Sequence, residues 1–131
     1  PIYIKKEKGY KEKNKKSFRM ALDYIKKGEP IMIFPEGTRS IDGKLRKAYT
    51  GIAKIALKAK IPVIPMGVIG SSKVWPKGKT LPRFKRCDIK IGKVIYFDNY
   101  YNKKPTGKIH EEITRKIMKE IAKLIGQKYN H

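Results

Sequence analysis

One short segment of the sequence is rich in groups that can bind an anion. Residues 34–40 read FPEGTRS and end a compact apolar run. Within this segment, Gly37 allows a positive φ or a close approach of a ligand to the backbone. Arg39 offers a planar guanidinium whose donors match phosphate oxygens, and Thr38 and Ser40 add hydroxyl groups. These residue types predict a phosphate-binding loop, and a solvated turn with its charged side chains in water fits them as well.

The charge of the chain also points to an anionic partner. Of the 131 residues, 33 are Lys or Arg and 11 are Asp or Glu, which gives a formal net charge of +22 at pH 7. Nucleic acid, an anionic lipid surface and a phosphorylated substrate are all compatible with this excess, and charge alone does not choose between them. Hydrophobic residues make up 40% of the sequence, which indicates a folded domain rather than a disordered segment.

Cysteine content and apolar stretches restrict the class of protein further. The single cysteine, Cys87, excludes an internal disulfide and a zinc site built from several cysteines, so a reducing compartment is the simpler expectation. The longest apolar stretch, Ile61–Ile69, is about half of the roughly 18–20 residues that span a bilayer. No signal peptide is recognisable. Because the chain opens at Pro1 directly in a strand-like run, we expect that sequence upstream of it is missing.

Hydrophobic periodicity predicts three helices and four strands. The helical segments have apolar residues spaced three or four apart, and Gly28 follows the first of them as a C-terminal cap. These segments are Asn14 or Ser17 to Lys27, Ala48–Lys58, and Thr106 to about Gln127. The predicted strands are Ile2–Ile4, Ile31–Phe34, Ile61–Ile69 and Asp88–Phe97, and the stretch Gly70–Arg86 is irregular.

The order of these elements predicts an α/β domain with a mostly parallel sheet and crossover helices, entered part-way through. Ile31–Phe34 is too short for a helix and apolar throughout, which is typical of a strand buried on both faces of such a sheet. Ligands bind at the carboxyl ends of the strands in sheets of this kind. The segment after Phe34 is therefore the expected site.

The sequence resembles the glycerolipid acyltransferases, in particular lysophosphatidate acyltransferases and their close relatives. Residues 34–40 are similar to the FPEGTRS block of that family, and Ile61–Met66 is similar to its downstream V-P-x-x-P-V block. The stretch from Asp42 through Gly51 resembles the connection between the two blocks, and Pro1–Lys6 resembles an earlier block in which a strand ends in Asp-Arg. The resemblance covers residues 1 to about 70 and, more weakly, to 97. It implies a glycerol-3-phosphate acyltransferase-like fold.

The resemblance also implies which residues bind substrate. The family's acceptor-phosphate site falls on Glu36, Gly37 and Arg39, with Thr38 shaping the loop. The Arg that closes the earlier block falls on Lys6, or on the Lys before it. Lysine keeps a point charge for phosphate but loses the bidentate geometry of arginine. A place for Lys6 in a solvated basic run, residues 5–16, is the alternative.

A catalytic base is not found in this chain. Acyl transfer to an alcohol requires a general base, and the resemblance implies a His followed five positions later by an Asp. His110 is followed five residues later by Arg115, and His131 is the last residue. We therefore expect the His–Asp pair upstream, residues 1–131 to be the acceptor-binding and C-terminal part of an acyltransferase domain, and this chain to be inactive alone.

The expected reaction is transfer of a fatty acyl group from an acyl thioester to the free hydroxyl of lysophosphatidate. Acyl-CoA or acyl carrier protein would be the co-substrate, with no metal or other cofactor. Glycerol-3-phosphate or a lysophospholipid is an alternative acceptor. A basic nucleic-acid-binding module is the alternative from a different class, although no helix-turn-helix, zinc-finger or RRM signature is present. A P-loop is excluded because Leu45 stands where Ser or Thr would bind magnesium.

The irregular stretch is the best candidate for membrane contact. Residues 73–86 contain six Lys or Arg and no acidic residue, interleaved with Trp75, Leu81 and Phe84. Basic residues around apolar anchors suit an anionic bilayer surface, which predicts a membrane-associated protein on the cytoplasmic face. A solvated loop whose Trp75 packs inward is the alternative.

Overall fold

The computed structural model describes residues 11–131 apart from Lys77, and the predicted strand Ile2–Ile4 lies outside these residues. Within these described residues, five helices and two strands follow one another in the order α1, α2, β1, α3, β2, α4 and α5. Their bounds are Lys11–Lys26, Gly51–Ala59, Met66–Ile69, Ser71–Val74, Asp88–Ile91, Asp98–Tyr101 and Gly107–Leu124.

Helix α1 confirms the first predicted helix and its end. Ala21 is buried, and Phe18 and Leu22 on the same face are half-buried. Beyond the last turn, Gly28 has φ +81°, a backbone conformation that residues with a Cβ adopt only with strain. Its N–H donates to the carbonyl of Ile25 at 2.9 Å, and the next N–H, that of residue 29, donates to the carbonyl of residue 24 at 3.1 Å. This pair of hydrogen bonds is the Schellman arrangement that ends many helices.

The hydrophobic core lies between α2 and α5. Ala53 and Ala56 of α2 are almost completely buried, as are Ile113 and Ile117 of α5, and Phe97 belongs to the same cluster. The small side chains of α2 let the two helices approach closely, while the larger side chains of α5 fill the space between them. Both helices were predicted from periodicity, with bounds within three residues of the observed ones.

Helix α5 begins one residue after its predicted start, and Thr106 caps it. Thr106 has an extended backbone, and its Oγ1 accepts a hydrogen bond from the N–H of Ile109 at 3.3 Å. A hydroxyl at this position satisfies one of the donors that the first turn of a helix leaves unpaired.

The described strands form a two-stranded antiparallel sheet. Strand β1 pairs with β2 in a register that sets Met66 opposite Ile91 and Ile69 opposite Asp88, and a single bridge joins Val63 to Ile95. The α/β composition is therefore confirmed, but the predicted mostly parallel sheet with crossover helices is not. The physical reason is the connection: the described residues between β1 and β2 form only the short α3 and an irregular loop, so the chain turns back instead of crossing over.

The predicted strand Ile31–Phe34 is also not confirmed. These residues pair with no strand within the described part of the chain, and Met32 and Phe34 are 70% and 69% exposed. Ile33, between them, packs against the core. An unbroken apolar run cannot reveal that only one side of it is covered, because all its residues look equally suited to burial.

None of the helices within the described residues is long and apolar enough to cross a membrane.

Substitution of Gly67 tests how tightly β1 packs on the end of α5. A Cβ at this position would lie 2.5 Å from Cγ2 of Ile125 and 3.2 Å from Cβ of Leu124. Gly67→Ala should therefore lower the free energy of unfolding by about 1–3 kcal/mol, as overpacking of a buried position usually does. Urea unfolding followed by circular dichroism measures this change.

Gly107→Ala is the matched control, since a Cβ at the first position of α5 would meet nothing within 4 Å. Its effect should stay within about 0.5 kcal/mol, as for most surface substitutions. Equal stability of the two variants would contradict the packing of β1 against α5.

Candidate functional site

The loop of residues 34–50 turns sharply at the position the sequence predicts. The N–H of Gly37 donates to the carbonyl of Phe34 at 3.0 Å, and Gly37 takes φ +67°. A Cβ on Gly37 would lie 2.8 Å from Cε2 of Tyr49, so the position also has no room for a side chain. The two ends of the loop are joined where the N–H of Tyr49 donates to the carbonyl of Pro35 at 2.8 Å. Gly37 is thus required by both conformation and close packing.

The side chain of Glu36 is hydrogen-bonded to the returning arm of this loop, residues 43–48. Its Oε2 accepts a hydrogen bond from the backbone N–H of Arg46 at 2.7 Å. Burial raises the pKa of the Glu36 carboxyl, while that hydrogen bond and the charge of Arg46 act in the opposite direction. The carboxylate is therefore engaged with the loop backbone.

A second carboxylate organises the middle of the loop. Oδ1 of Asp42 accepts from the backbone N–H of Lys44 at 3.1 Å, and the hydroxyl of Ser40 lies 3.0 Å from the same oxygen. These hydrogen bonds lower the pKa of the Asp42 carboxyl, because they favour its charged form. Gly43 between them has φ +78°, as the tight turn requires. The Asp42-Gly43-Lys44 stretch that resembles the family's connection is therefore a compact turn.

Residues after α5 hold the loop from the other side. The side-chain amide of Gln127 donates from Nε2 to the carbonyl of Gly43 at 2.8 Å and accepts at Oε1 from the N–H of Leu45 at 3.0 Å. The hydroxyl of Tyr129 accepts from the N–H of Ala48 at 3.0 Å. More than 80 residues separate each pair in sequence, so periodicity and motif spacing carry no signal for these contacts.

Arg39 stands at the exposed tip of the loop. Its Nη1 donates to the backbone carbonyl of Trp75 at 3.3 Å, and its Cζ lies 5.2 Å from the centroid of the Trp75 ring. Within residues 11–131, Lys77 apart, it forms no ion pair with a carboxylate. Gly37 and Thr38 are exposed beside it in sequence. The arrangement leaves a guanidinium, a hydroxyl and loop backbone open to an anionic ligand.

Four of the five predicted substrate-binding residues are consecutive in sequence and lie on this loop, while Lys6 lies outside the described residues. Trp75, Gln127 and Tyr129, which sequence reasoning did not connect with the loop, contact it directly. The two histidines lie on or after α5. Burial, and then the charge of Lys54, lower the pKa of His110, and the ring of His131 packs edge-on against Tyr129 at 5.3 Å.

Comparison with known proteins identifies the class. The sequence model of the family described as Acyltransferase matches residues 2–69, more than half of the chain. The chain belongs to this family. The matched segment includes the turn at Gly37 and the whole of the 34–50 loop.

Curated relatives are similar to part of the chain. The chain is 40% identical over 60 residues to the chloroplastic 1-acyl-sn-glycerol-3-phosphate acyltransferase BAT2 of Brassica napus, covering 46% of this chain and 17% of that protein. It is 40% identical over 53 residues to the 1-acyl-sn-glycerol-3-phosphate acyltransferase of Pseudomonas aeruginosa, covering 40% of this chain and 20% of that protein. The matched region thus spans a fifth or less of the length of these two relatives.

The fold is similar to that of a solved acyltransferase. The crystal structure of the 1-acyl-sn-glycerophosphate acyltransferase PlsC from Thermotoga maritima superimposes with a TM-score of 0.65 at 23% sequence identity. The superposition covers 88% of this chain and 46% of that one. Nearly all of the chain, including the part after residue 69, therefore shares the fold of less than half of that protein.

The opposite pKa shifts of the two loop carboxyls predict opposite pH dependences. A raised pKa of Glu36 means that the folded state holds the proton more tightly than the unfolded state. That contribution to stability is complete below the ordinary value of 4.5 and is lost as the pH rises through the folded-state pKa. The unfolding free energy of the wild type minus that of Glu36→Gln should therefore fall as the pH rises above 4.5, as measured by urea unfolding.

Asp42→Asn is the control in the same loop. Because the pKa of Asp42 is lowered, its contribution is present above the ordinary value of 3.8 and lost as the pH falls through the folded-state pKa. The corresponding difference should rise with pH in the acid range. A difference for Glu36→Gln that also rises with pH would contradict the dominance of burial at Glu36.

Proposed function

We propose that the protein to which this chain belongs transfers a fatty acyl group from an acyl thioester to the free hydroxyl of lysophosphatidate, and that this chain binds the acceptor's phosphate. The observation that carries the proposal is the unneutralised Arg39 at the tip of the family's loop. Its neighbour Glu36 is engaged by a backbone N–H and leaves the guanidinium open. The names of the curated relatives and of the solved protein support lysophosphatidate as the acceptor. Family membership argues against the nucleic-acid-binding alternative.

The proposed phosphate site uses each group for a distinct purpose. Arg39 keeps N–H donors beyond the one given to Trp75, and a planar guanidinium can present two of them to phosphate oxygens. The hydroxyl of Thr38 adds a neutral donor, and Gly37 allows the ligand to approach the backbone. Glu36 holds the loop in shape, and Lys6 would supply a second positive charge.

The proposed reaction takes its general base from outside these residues. The acceptor hydroxyl loses its proton to a histidine as its oxygen attacks the thioester carbonyl carbon. The tetrahedral intermediate collapses, the carbon–sulfur bond breaks, and the proton passes to the departing thiolate. Neither His110 nor His131 is oriented by a carboxylate hydrogen bond within the described residues. The co-substrate is acyl-CoA or acyl carrier protein, and no metal is required by these steps.

The remainder of the domain would complete the sheet. Met32 and Phe34 alternate with half-buried residues and are exposed, which is how a strand looks when one side of it lacks its cover. We propose that Ile31–Phe34 joins a mostly parallel sheet in the complete domain and that residues 1–131 are its acceptor-binding and C-terminal part. The superposition covers 46% of the solved acyltransferase, which supports a domain larger than these residues.

The stretch of residues 73–86 is proposed to contact an anionic membrane surface on the cytoplasmic face. Leu81 is 77% exposed and Phe84 is fully exposed, so neither side chain packs against the described part of the chain. Arg83 and Lys85 lie on either side of Phe84, and the stretch has no acidic residue. Apolar anchors among cations gain from burial below the headgroups and from attraction to anionic lipid. A lipid acceptor would reach the site from the same surface.

Arg39 is the direct test of the phosphate site. In the complete enzyme, Arg39→Ala should raise the KM for lysophosphatidate about 10- to 100-fold, since a charge-assisted contact contributes about 1.5–3 kcal/mol. Arg39→Lys should recover only part of this, because a point charge replaces the planar fork. Steady-state kinetics with labelled acyl thioester, lysophosphatidate and glycerol-3-phosphate provide the measurement.

Arg115→Ala, on the exposed face of α5, is the matched loss of one arginine and should leave the KM unchanged. If both Arg39 variants matched the wild type, the phosphate role of the loop would be wrong. Transfer to glycerol-3-phosphate in preference to lysophosphatidate would replace the proposed acceptor while keeping the site.

The membrane proposal is tested by co-sedimentation with vesicles. The protein should bind phosphatidylcholine vesicles that contain an anionic lipid and bind those without it weakly, with affinity falling as salt rises. Replacing Leu81 and Phe84 together by Ser should weaken binding at least about tenfold, since burial of each side chain contributes roughly 1.5–3 kcal/mol.

Tyr96→Ser removes another exposed aromatic side chain, outside the basic stretch, and is the control. Equal loss of binding in the Tyr96 variant would mean that the chain has no local anchor at residues 73–86. Undiminished binding of the double Ser variant would mean that charge alone holds the protein at the vesicle surface.

A further inference from the structure

The irregular stretch after β1 reaches back to the 34–50 loop through one aromatic residue. The guanidinium carbon of Arg39 lies 5.2 Å from the centroid of the Trp75 ring, within the range of a cation–π interaction. Nη1 of Arg39 also donates to the backbone carbonyl of Trp75 at 3.3 Å. Trp75, 36 positions away in sequence, thus contacts the guanidinium with both its ring and its backbone carbonyl.

Trp75 is itself held in place by its own stretch. Its indole Nε1 donates to the carbonyl of Lys79 at 2.8 Å, which fixes the rotation of the ring. Its backbone N–H donates to the carbonyl of Ser71 at 2.9 Å, at the end of α3. At the base of the stretch, a Cβ on Gly70 would lie 2.7 Å from the carbonyl oxygen of Arg86, so the two ends approach as closely as glycine permits. The ring is therefore a fixed surface rather than a free side chain.

A second approach between the same two segments lies beside the first. A Cβ at Gly43 would be 3.3 Å from the hydroxyl oxygen of Ser72, in α3. The turn around Gly43 and the tip at Arg39 thus both lie against residues 72–75. The two segments pack together over more than a single contact.

These two contacts are chemically suited to an arginine that binds an anion. A carboxylate would hold the guanidinium in place but would neutralise it and compete with phosphate. An aromatic face and a backbone carbonyl restrict the side chain while leaving its full charge and its remaining donors available. Restricting a long side chain before binding also removes part of the entropy that binding would otherwise cost.

We propose that Trp75 is a positioning residue for the acceptor-phosphate site, holding Arg39 in its phosphate-binding orientation, an inference that rests on the function proposed above. The stretch that contacts the membrane is then also the second wall of the phosphate site. Trp75 acts through Arg39 and touches no reacting atom.

The test is a double-mutant cycle in the complete enzyme. Trp75→Leu should raise the KM for lysophosphatidate about two- to fivefold and leave kcat unchanged, because an exposed cation–π contact contributes about that factor to binding. Trp75→Phe keeps an aromatic face and should stay within about twofold of the wild type. In the Arg39→Ala background, Trp75→Leu should have no further effect, since the residue through which it acts is gone.

Tyr96→Leu is the matched control and should leave the KM unchanged, because Tyr96 is an exposed aromatic residue outside both the 34–50 loop and the 73–86 stretch. An additive effect of Trp75→Leu on Arg39→Ala, a fall in kcat without a rise in KM, or equal losses in the Phe and Leu variants would each overturn the positioning role. If Arg39→Ala itself had no effect, the proposed function would fail first. A normal Arg39 effect with an unchanged Trp75→Leu variant would refute only the role of Trp75.

Discussion

The packing of α2 against α5 is the contact on which the rest of the described structure depends. Ala53 and Ala56 allow the helices to approach, and Ile113 and Ile117 fill the space that remains. The 34–50 loop leads directly into α2, and the last residues of the chain follow directly after α5. Joining the two helices therefore also brings the returning arm of the loop beside the C-terminal residues. The core places the site without contributing a residue to it.

The position of the C-terminal residues provides hydrogen-bond partners for the backbone of the loop. The arm of residues 43–48 pairs with no strand among the described residues, and backbone groups left without partners in a half-buried position cost free energy. The amide of Gln127 contacts the carbonyl of Gly43 and the N–H of Leu45, as the backbone of a neighbouring strand would. The hydroxyl of Tyr129 accepts a hydrogen bond from another N–H of this arm, that of Ala48. Residues after α5 thus supply the hydrogen-bond partners that the backbone of a neighbouring strand would otherwise supply.

Local features were predictable because their causes are local. The face of α1 and its end at Gly28 follow from side-chain spacing and from the positive φ of a helix terminus. The turn at Gly37 follows from residue type. The antiparallel pairing of β1 with β2 was not predictable in this way, because strand direction depends on the path of the connection. The contacts of Trp75 and Gln127 with the loop depend on which distant elements the core brings together, so they leave no local pattern.

The charges near the loop serve two different purposes. Both of its carboxylates are engaged by backbone N–H groups, Glu36 by that of Arg46 and Asp42 by that of Lys44, so neither neutralises Arg39. The excess of cations elsewhere acts over a distance of about 8–10 Å at physiological salt and attracts any anionic surface. It cannot distinguish a phosphate from a carboxylate. In the proposed site, discrimination would therefore come from short-range geometry, because the ring of Trp75 restricts the guanidinium of Arg39 and leaves its charge intact.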